Sequence, residues 1–130
     1  DMTAATAVDT STLDCGHAPS PHGEHTTGAA CTRDGQVICW ACANRREQEA
    51  LRTAQTYGAY LTCQPDGGYG LTTWTGGKLA DVTQLTRGRH NIGGYLYRFR
   101  ALDVHGQHWY GTSPGPEMYA RMRRIKGERG

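Results

Sequence analysis

Tyr95-Leu96-Tyr97-Arg98-Phe99-Arg100-Ala101 is the stretch that decides how the rest of the chain is read. Tyr95, Tyr97, Phe99 and Ala101 fall on one side of a period-two repeat, and Leu96, Arg98 and Arg100 on the other. Side chains alternate across a strand, so this pattern predicts a half-buried β-strand with a wet, basic face. Downstream, Val104-His105-Gly106 predicts a tight turn into a second strand, Gln107-His108-Trp109-Tyr110-Gly111. Upstream, Ala59–Cys63 reads as a short strand ended by Pro65-Asp66-Gly67-Gly68. Tyr69–Thr73 follows as another, and Thr75-Gly76-Gly77 turns into a third from Lys78 to Thr86. Several short strands joined by Gly-containing turns predict a small antiparallel sheet or an SH3-like β-barrel. Tyr97, Phe99 and Trp109 are its expected core, because the chain holds one Phe and few large aliphatic residues. The segment Pro116 to Lys126 reads as one or two basic helical turns.

Ahead of the β module the composition changes. From Ala43 to Tyr57, Ala43, Glu47, Ala50, Leu51 and Ala54 recur at three- and four-residue spacing, which predicts a helix stopped at Gly58. Residues 14–37 are rich in Gly, Pro, His and Thr and offer almost nothing to pack, and residues 1–13 read as a disordered tail. The expected organisation is a tail over 1–13, a metal knuckle with one helix over 14–57, and the β module over 58–130. The fold class is therefore α+β, with a treble-clef-like knuckle ahead of the sheet.

The cysteines explain how a coreless segment could order itself. They are Cys15, Cys31, Cys39, Cys42 and Cys63, and His17, His22 and His25 lie in the same stretch as most of them. Cys39-Trp40-Ala41-Cys42 directly precedes the helix, where both sulfurs can reach one ion and the helix dipole favours thiolate. With Cys15-Gly16-His17 upstream, Cys15, His17, Cys39 and Cys42 make a closed Cys3His set suited to one structural Zn2+. Cys31, His22 or His25 could replace His17 as the fourth ligand. Cys31 and Cys63 are otherwise a loop thiol and a small strand residue. His22-Gly23-Glu24 ahead of Cys39-x-x-Cys42 mimics the H-x-E…P-C-x-x-C signature of zinc deaminases. Ile38 stands where that signature has Pro, and no strand-helix unit fits between the halves. A hydrolytic ion also needs an open position, which the crowd of ligands denies. His90, His105, His108 and Trp109 assemble no nucleophile-base-orienter set, so no catalysis is expected.

Composition bounds the partners. The chain has 130 residues with a formal net charge of +2, and 18 of the residues are Gly. No apolar run approaches the roughly 20 residues of a membrane span, and the first residues lack a signal-peptide pattern, so a cytoplasmic setting without membrane contact is expected. The small net charge hides an asymmetry. Residues 1–86 carry five basic and nine acidic side chains, whereas residues 87–130 carry nine basic and three acidic. Arg87, Arg89, Arg98, Arg100, Arg121, Arg123 and Arg124 are thus candidate phosphate contacts, Arg87 and Arg89 in a loop beside the strand of Arg98 and Arg100. Tyr95, Tyr97, Phe99, Trp109 and Tyr110 are the aromatics available for base stacking.

Cys15-Gly16-His17, Thr26-Thr27-Gly28, Ile38–Ala43, Leu71–Gly76, Gly88–Gly94, Tyr97–Ala101, Trp109-Tyr110-Gly111 and Gly115–Tyr119 together resemble a family of small phage and prophage proteins. The resemblance covers about residues 14–125. It implies that Cys-Gly-His and C-x-x-C act as a pair, which supports Cys15, His17, Cys39 and Cys42, and it implies phage origin in a host cytoplasm. Thr75 departs from the pattern, which often has Pro between the Trp and Gly of that element. The family brings no activity. Two functions are expected from the residues: a zinc-stapled module whose basic β face binds nucleic acid, or an effector that binds and blocks a host protein. A small-molecule substrate is not expected.

Overall fold

The computed structural model describes residues 13–22, 26–32, 34–90 and 93–129. Nearly all of the expected tail therefore lies outside the described residues, as do Glu24, His25 and Asn91. The chain divides into two compact units, Asp1–Arg46 and Glu47–Gly130.

In the first unit, β1 (Ser20–His22), β2 (Thr26–Cys31) and β3 (Val37–Cys39) form a three-stranded antiparallel sheet in that order. The Thr32–Gln36 turn joins β2 to β3: Gln36 N–H donates to Thr32 Oγ1 at 3.1 Å, and the Thr32 hydroxyl donates to the Asp34 carboxylate. That hydroxyl holds the Asp34 carboxyl below the usual carboxylate range. Ile38 is fully buried, and β3 passes without a break into helix α1 (Trp40–Leu51).

The division between the units falls inside α1, ahead of the boundary that composition suggested after Tyr57. The reason is Leu51, which is fully buried in the core of the second unit. The helix also begins earlier and ends sooner than its apolar spacing predicts. Its last bonds tighten, with Arg52 N–H donating to Glu49 O at 3.1 Å, and Tyr57 already belongs to a strand. Gln48 holds the helix to the strands, its Nε2 donating to Lys78 O at 2.8 Å while its own carbonyl accepts from His105 Nε2 at 2.7 Å.

Six strands then close on themselves: β4 (Thr56–Cys63), β5 (Tyr69–Thr72), β6 (Lys78–Arg89), β7 (Tyr95–Asp103), β8 (Gln107–Ser113) and β9 (Met118–Arg129). Each pairs antiparallel with the next, and β9 returns to β4 in a register running from Thr56↔Arg123 to Leu61↔Met118. Of the two architectures expected, the barrel is the one formed. Two expectations from the sequence are reversed here. The basic segment after Pro116 is strand β9, not helical turns, because Ala120 and Met122 alternate inward between the exposed Tyr119, Arg121 and Arg123. Arg87 and Arg89 likewise extend β6 opposite Tyr97 and Tyr95 instead of lying in a loop.

The barrel interior holds Leu61, Leu71, Leu79, Phe99, Ala101, Trp109, Ala120 and Met122, with Trp109 fully buried as expected. A buried indole N–H needs an acceptor. Asp103 provides it, its Oδ2 accepting from Trp109 Nε1 at 2.8 Å while Oδ1 takes the backbone N–H groups of His105 and Gln107, each at 2.8 Å. The same carboxylate thus shapes the β7–β8 turn and orients the largest core side chain. Gly111 lets β8 and β9 approach: a Cβ there would lie 2.3 Å from Arg121 O and 2.7 Å from Phe99 Cζ.

Candidate metal centre and basic barrel face

The first site is built from two short pieces of backbone. Leu13–His17 folds into a tight loop, with Gly16 N–H donating to Leu13 O at 2.8 Å and Leu13 N–H donating to His17 O at 2.9 Å. Gly16 has φ +86, a left-handed conformation that other residues rarely adopt. The loop docks on the start of β3 through a reciprocal pair: Asp14 N–H donates to Val37 O at 2.8 Å, and Val37 N–H donates to Asp14 Oδ2 at 2.6 Å. This places Cys15 and His17 against the β3–α1 junction, where Cys39 ends the strand and Cys42 lies in the first helical turn.

The ligand atoms of Cys15, His17, Cys39 and Cys42 all lie within 4.8 Å of one another, close enough to hold one metal ion. His17 Nδ1 stands 3.4 Å from Cys42 Sγ and 3.8 Å from Cys39 Sγ. Cys39 is buried, Cys15 and Cys42 are half-buried and His17 is exposed, so the imidazole rims the surface. The Cys39 N–H donates to Cys15 Sγ at 3.4 Å, and this bond is the main reason the Cys15 thiol is drawn down to about 7. Cys42 moves the opposite way. Its thiol is tied to that of Cys39, and desolvation and the neighbouring Cys15 sulfur hold it up further. The first thiolate to form therefore resists formation of the second.

Of the alternatives to His17, Cys31 is exposed at the end of β2 and directs its Sγ to Thr32 O. The side chain of His22 and the whole of His25 lie outside the described residues, as does the Glu24 of the deaminase-like motif. Cys63 is exposed on β4. Among the described residues, the four ligands singled out by spacing are the four that converge.

The second site is a face of the barrel. Phe99 and Ala101 point inward, so Arg98 and Arg100 point outward from β7. The registers carry that face across two more strands: Arg100 pairs with Tyr110 and Tyr110 with Arg123, while Arg98 pairs with Thr112 and Thr112 with Arg121. The result is two rows, Arg-Tyr-Arg and Arg-Thr-Arg, set roughly 7 Å apart along the strands. Among the described residues, no Asp or Glu occupies the outward positions of β7 and β8, or of β9 from Tyr119 to Arg123. Two shallow grooves flank the β8 ridge of Tyr110 and Thr112. One, of about 430 Å³, runs beside Arg98 and Arg100, and the other, of about 500 Å³, beside Arg121 and Arg123.

The remaining arginines are placed elsewhere. Arg87 and Arg89 sit on the opposite face of the β6–β7 hairpin, and the Arg87 guanidinium stacks over the Tyr95 ring at 4.5 Å. Arg124 turns inward. Its Nη2 donates to Leu51 O at 2.7 Å and Arg52 O at 2.8 Å, its Nε donates to Ala54 O at 2.8 Å, and the guanidinium lies 4.9 Å over the Trp109 ring. Arg124 therefore caps the C-terminus of α1, where carbonyls lack intrahelical donors. Among the aromatics, Phe99 and Trp109 are core, Tyr97 is half-buried, and Tyr95 and Tyr110 are exposed. Tyr60 and Tyr119 were missed as surface aromatics. The alternation of Tyr119, Arg121 and Arg123 with Ala120 and Met122 carried that signal in the sequence.

No family model matches the chain, and neither a curated protein nor a solved structure matches it.

Proposed function

We propose that this chain is a zinc-stapled binding module whose outer barrel face holds nucleic acid. The observation that carries the reading is the two-by-two set of Arg98 and Arg100 on β7 with Arg121 and Arg123 on β9, the two strands that flank β8, with no acidic side chain among their outward neighbours in the described residues. Guanidinium groups suit phosphate through paired, planar hydrogen bonds. A solvated face needs charge of either sign for solubility, whereas this one carries a single sign.

Zinc fits the knuckle. A tetrahedral ion with bonds of about 2.3 Å to sulfur and 2.0 Å to nitrogen sets its ligand atoms roughly 3.5–3.8 Å apart. The two sulfur–nitrogen separations of 3.4 and 3.8 Å match that spacing. Three thiolates and one imidazole fill all four positions, which favours a structural role, and the bound ion would neutralise the gathered sulfurs.

Fluorescence anisotropy with labelled single-stranded and duplex oligonucleotides at several salt concentrations tests the reading. Binding should weaken with salt at a log–log slope of about −3 to −4, as expected for four phosphate contacts. Arg98→Ala with Arg100→Ala should flatten that slope. No binding to either form at low salt overturns the proposal.

A second reading, a module that docks on another protein, is favoured by Trp74. This side chain is 66% exposed, yet it rides on a turn fixed by Thr73 N–H to Gly77 O at 2.9 Å and by the buried Thr73 and Thr75 hydroxyls 3.0 Å apart. An exposed Trp carried on a fixed turn is a common interface anchor. A partner captured after nuclease treatment and lost with Trp74→Ala would support this reading over the first.

A further inference from the structure

Charge alone does not separate a duplex from an unpaired strand; the tyrosines do. We infer that the groove beside Arg121 and Arg123 takes unpaired bases stacked on Tyr119 and Tyr110, so that the ligand of the basic face is a single-stranded nucleic acid. This inference rests on the nucleic-acid reading above and narrows it.

Tyr119 is half exposed and yet held in place. The registers set it opposite Tyr60, and the two rings meet edge to face, with centroids 5.8 Å apart and planes at 80°. Its hydroxyl end lies across Gly58: a Cβ on that glycine would stand 1.7 Å from the Tyr119 Oη and 2.5 Å from Cζ. Gly58 is thus the residue that lets the ring lie down on β4. A ring fixed from one side and open on the other is a stacking platform that loses little freedom when a base covers it.

Tyr110 supplies the second surface. It is 46% exposed on β8, and its cross-strand partners are Arg100 on one side and Arg123 on the other. The groove between the two tyrosines is floored by backbone at Gly58 and Gly111 and edged by Arg121 and Arg123. At about 500 Å³ it falls within the range of small-molecule clefts and would admit planar groups from the open side. Phosphates on the arginine rows and bases on the tyrosines would follow one strand across β8. A duplex could meet the arginines, but its bases face one another and cannot cover these rings. Ribose and deoxyribose strands share this chemistry of base and phosphate, so uracil and thymine oligomers form separate arms of the test.

The test compares oligo-dT, oligo-U and a duplex of equal length on the full chain, in wild type and in Tyr119→Ala, Tyr119→Phe, Tyr110→Ala and Arg123→Ala. Each Tyr→Ala should weaken single-strand binding by roughly 5- to 150-fold and leave duplex binding unchanged. Tyr119→Phe should restore most of the affinity, since it keeps the ring. Arg123→Ala should weaken both forms. On the wild-type chain, photo-cross-linking from 5-iodouracil should map to Tyr110 or Tyr119, a result that needs no variant to fold. Tighter binding of oligo-U than of oligo-dT would assign the ribose strand, and the reverse the deoxyribose strand. If single strand and duplex bind equally and the tyrosine variants change neither, the stacking inference fails while the basic-face reading stands. If nothing binds, both fail.

Discussion

Arg123 and Arg124 are neighbours in sequence with opposite assignments, and replacing each by Ala separates them. Arg124 gives three hydrogen bonds to carbonyls at the end of α1 and lies over Trp109. A hydrogen bond from a charged donor contributes roughly 1.5–3 kcal/mol, and a cation over an aromatic face about 0.5–2 kcal/mol. Water can reach some of these carbonyls once the guanidinium is gone, the exposed Arg52 carbonyl first, so the full sum is not lost. Arg124→Ala should therefore destabilise the barrel unit by about 3–5 kcal/mol. A unit spanning Glu47–Gly130 loses roughly 4–8 °C of Tm per kcal/mol, so the melting temperature should fall by at least ~12 °C. Arg123→Ala, with an outward side chain, should stay within about 0.5 kcal/mol of wild type while losing nucleic-acid affinity. Arg124→Lys should recover only part of the loss, since an ammonium cannot reach three carbonyls in a fixed fork. Urea and thermal unfolding followed by Trp fluorescence measure all three. The assignment is refuted if Arg124→Ala costs less than about 1 kcal/mol, or if Arg123→Ala costs as much.

Three further outcomes follow from the two units. Metal analysis of the purified chain should return one zinc per molecule, lost on Cys15→Ser, Cys39→Ser or Cys42→Ser and retained on Cys31→Ser and Cys63→Ser. In metal-free protein, alkylation by iodoacetamide should give Cys15 a midpoint near 7 and Cys42 a midpoint above the ordinary thiol range. Because the folded value of Cys15 lies below that of a free thiol, about 8.5, its stabilising effect is complete above the free value and fades as pH falls through 7. Equal alkylation rates for the two would contradict this. Gly111→Ala should destabilise the barrel by at least ~2 kcal/mol, because the new methyl meets the Arg121 carbonyl at 2.3 Å, whereas Gly58→Ala meets side-chain atoms of the half-exposed Tyr119, which can give up its place on β4 by turning to solvent, and should cost less than Gly111→Ala. The pair is read by chemical denaturation.

The metal cluster was legible because its information is local. Cys15 and His17 sit two residues apart, Cys39 and Cys42 three apart, and only one long-range docking step joins them. The barrel was legible through its turns and through the alternation of Tyr95 to Ala101. Strand β9 was not, because Arg, Met, Ala and Lys favour helix locally while pairing with β4 and β8 decides the outcome. The end of α1 was hidden for a related reason: its cap is Arg124, a residue more than seventy positions away that no window around Leu51 contains. The arginine face was half legible. Sequence supplied the charge, but only the registers could set Arg98 and Arg100 beside Arg121 and Arg123 and turn Arg124 away from them.

The seam between β4 and β9 has a consequence for how the chain reaches this state. Thr56 pairs with Arg123, so the first strand of the barrel waits for the last, and each hairpin made in between has an unpaired edge until then. Loop-closure entropy makes such a distant pairing slow, and folding in the millisecond-to-second range is expected instead of the faster regime of helical bundles. On the ribosome the barrel cannot close until β9 has left the exit tunnel, because β4 and β8 both lack their β9 partner before then. The guanidinium of Arg124, one residue past that pairing, then acts as a latch that helix and barrel acquire together in the final step.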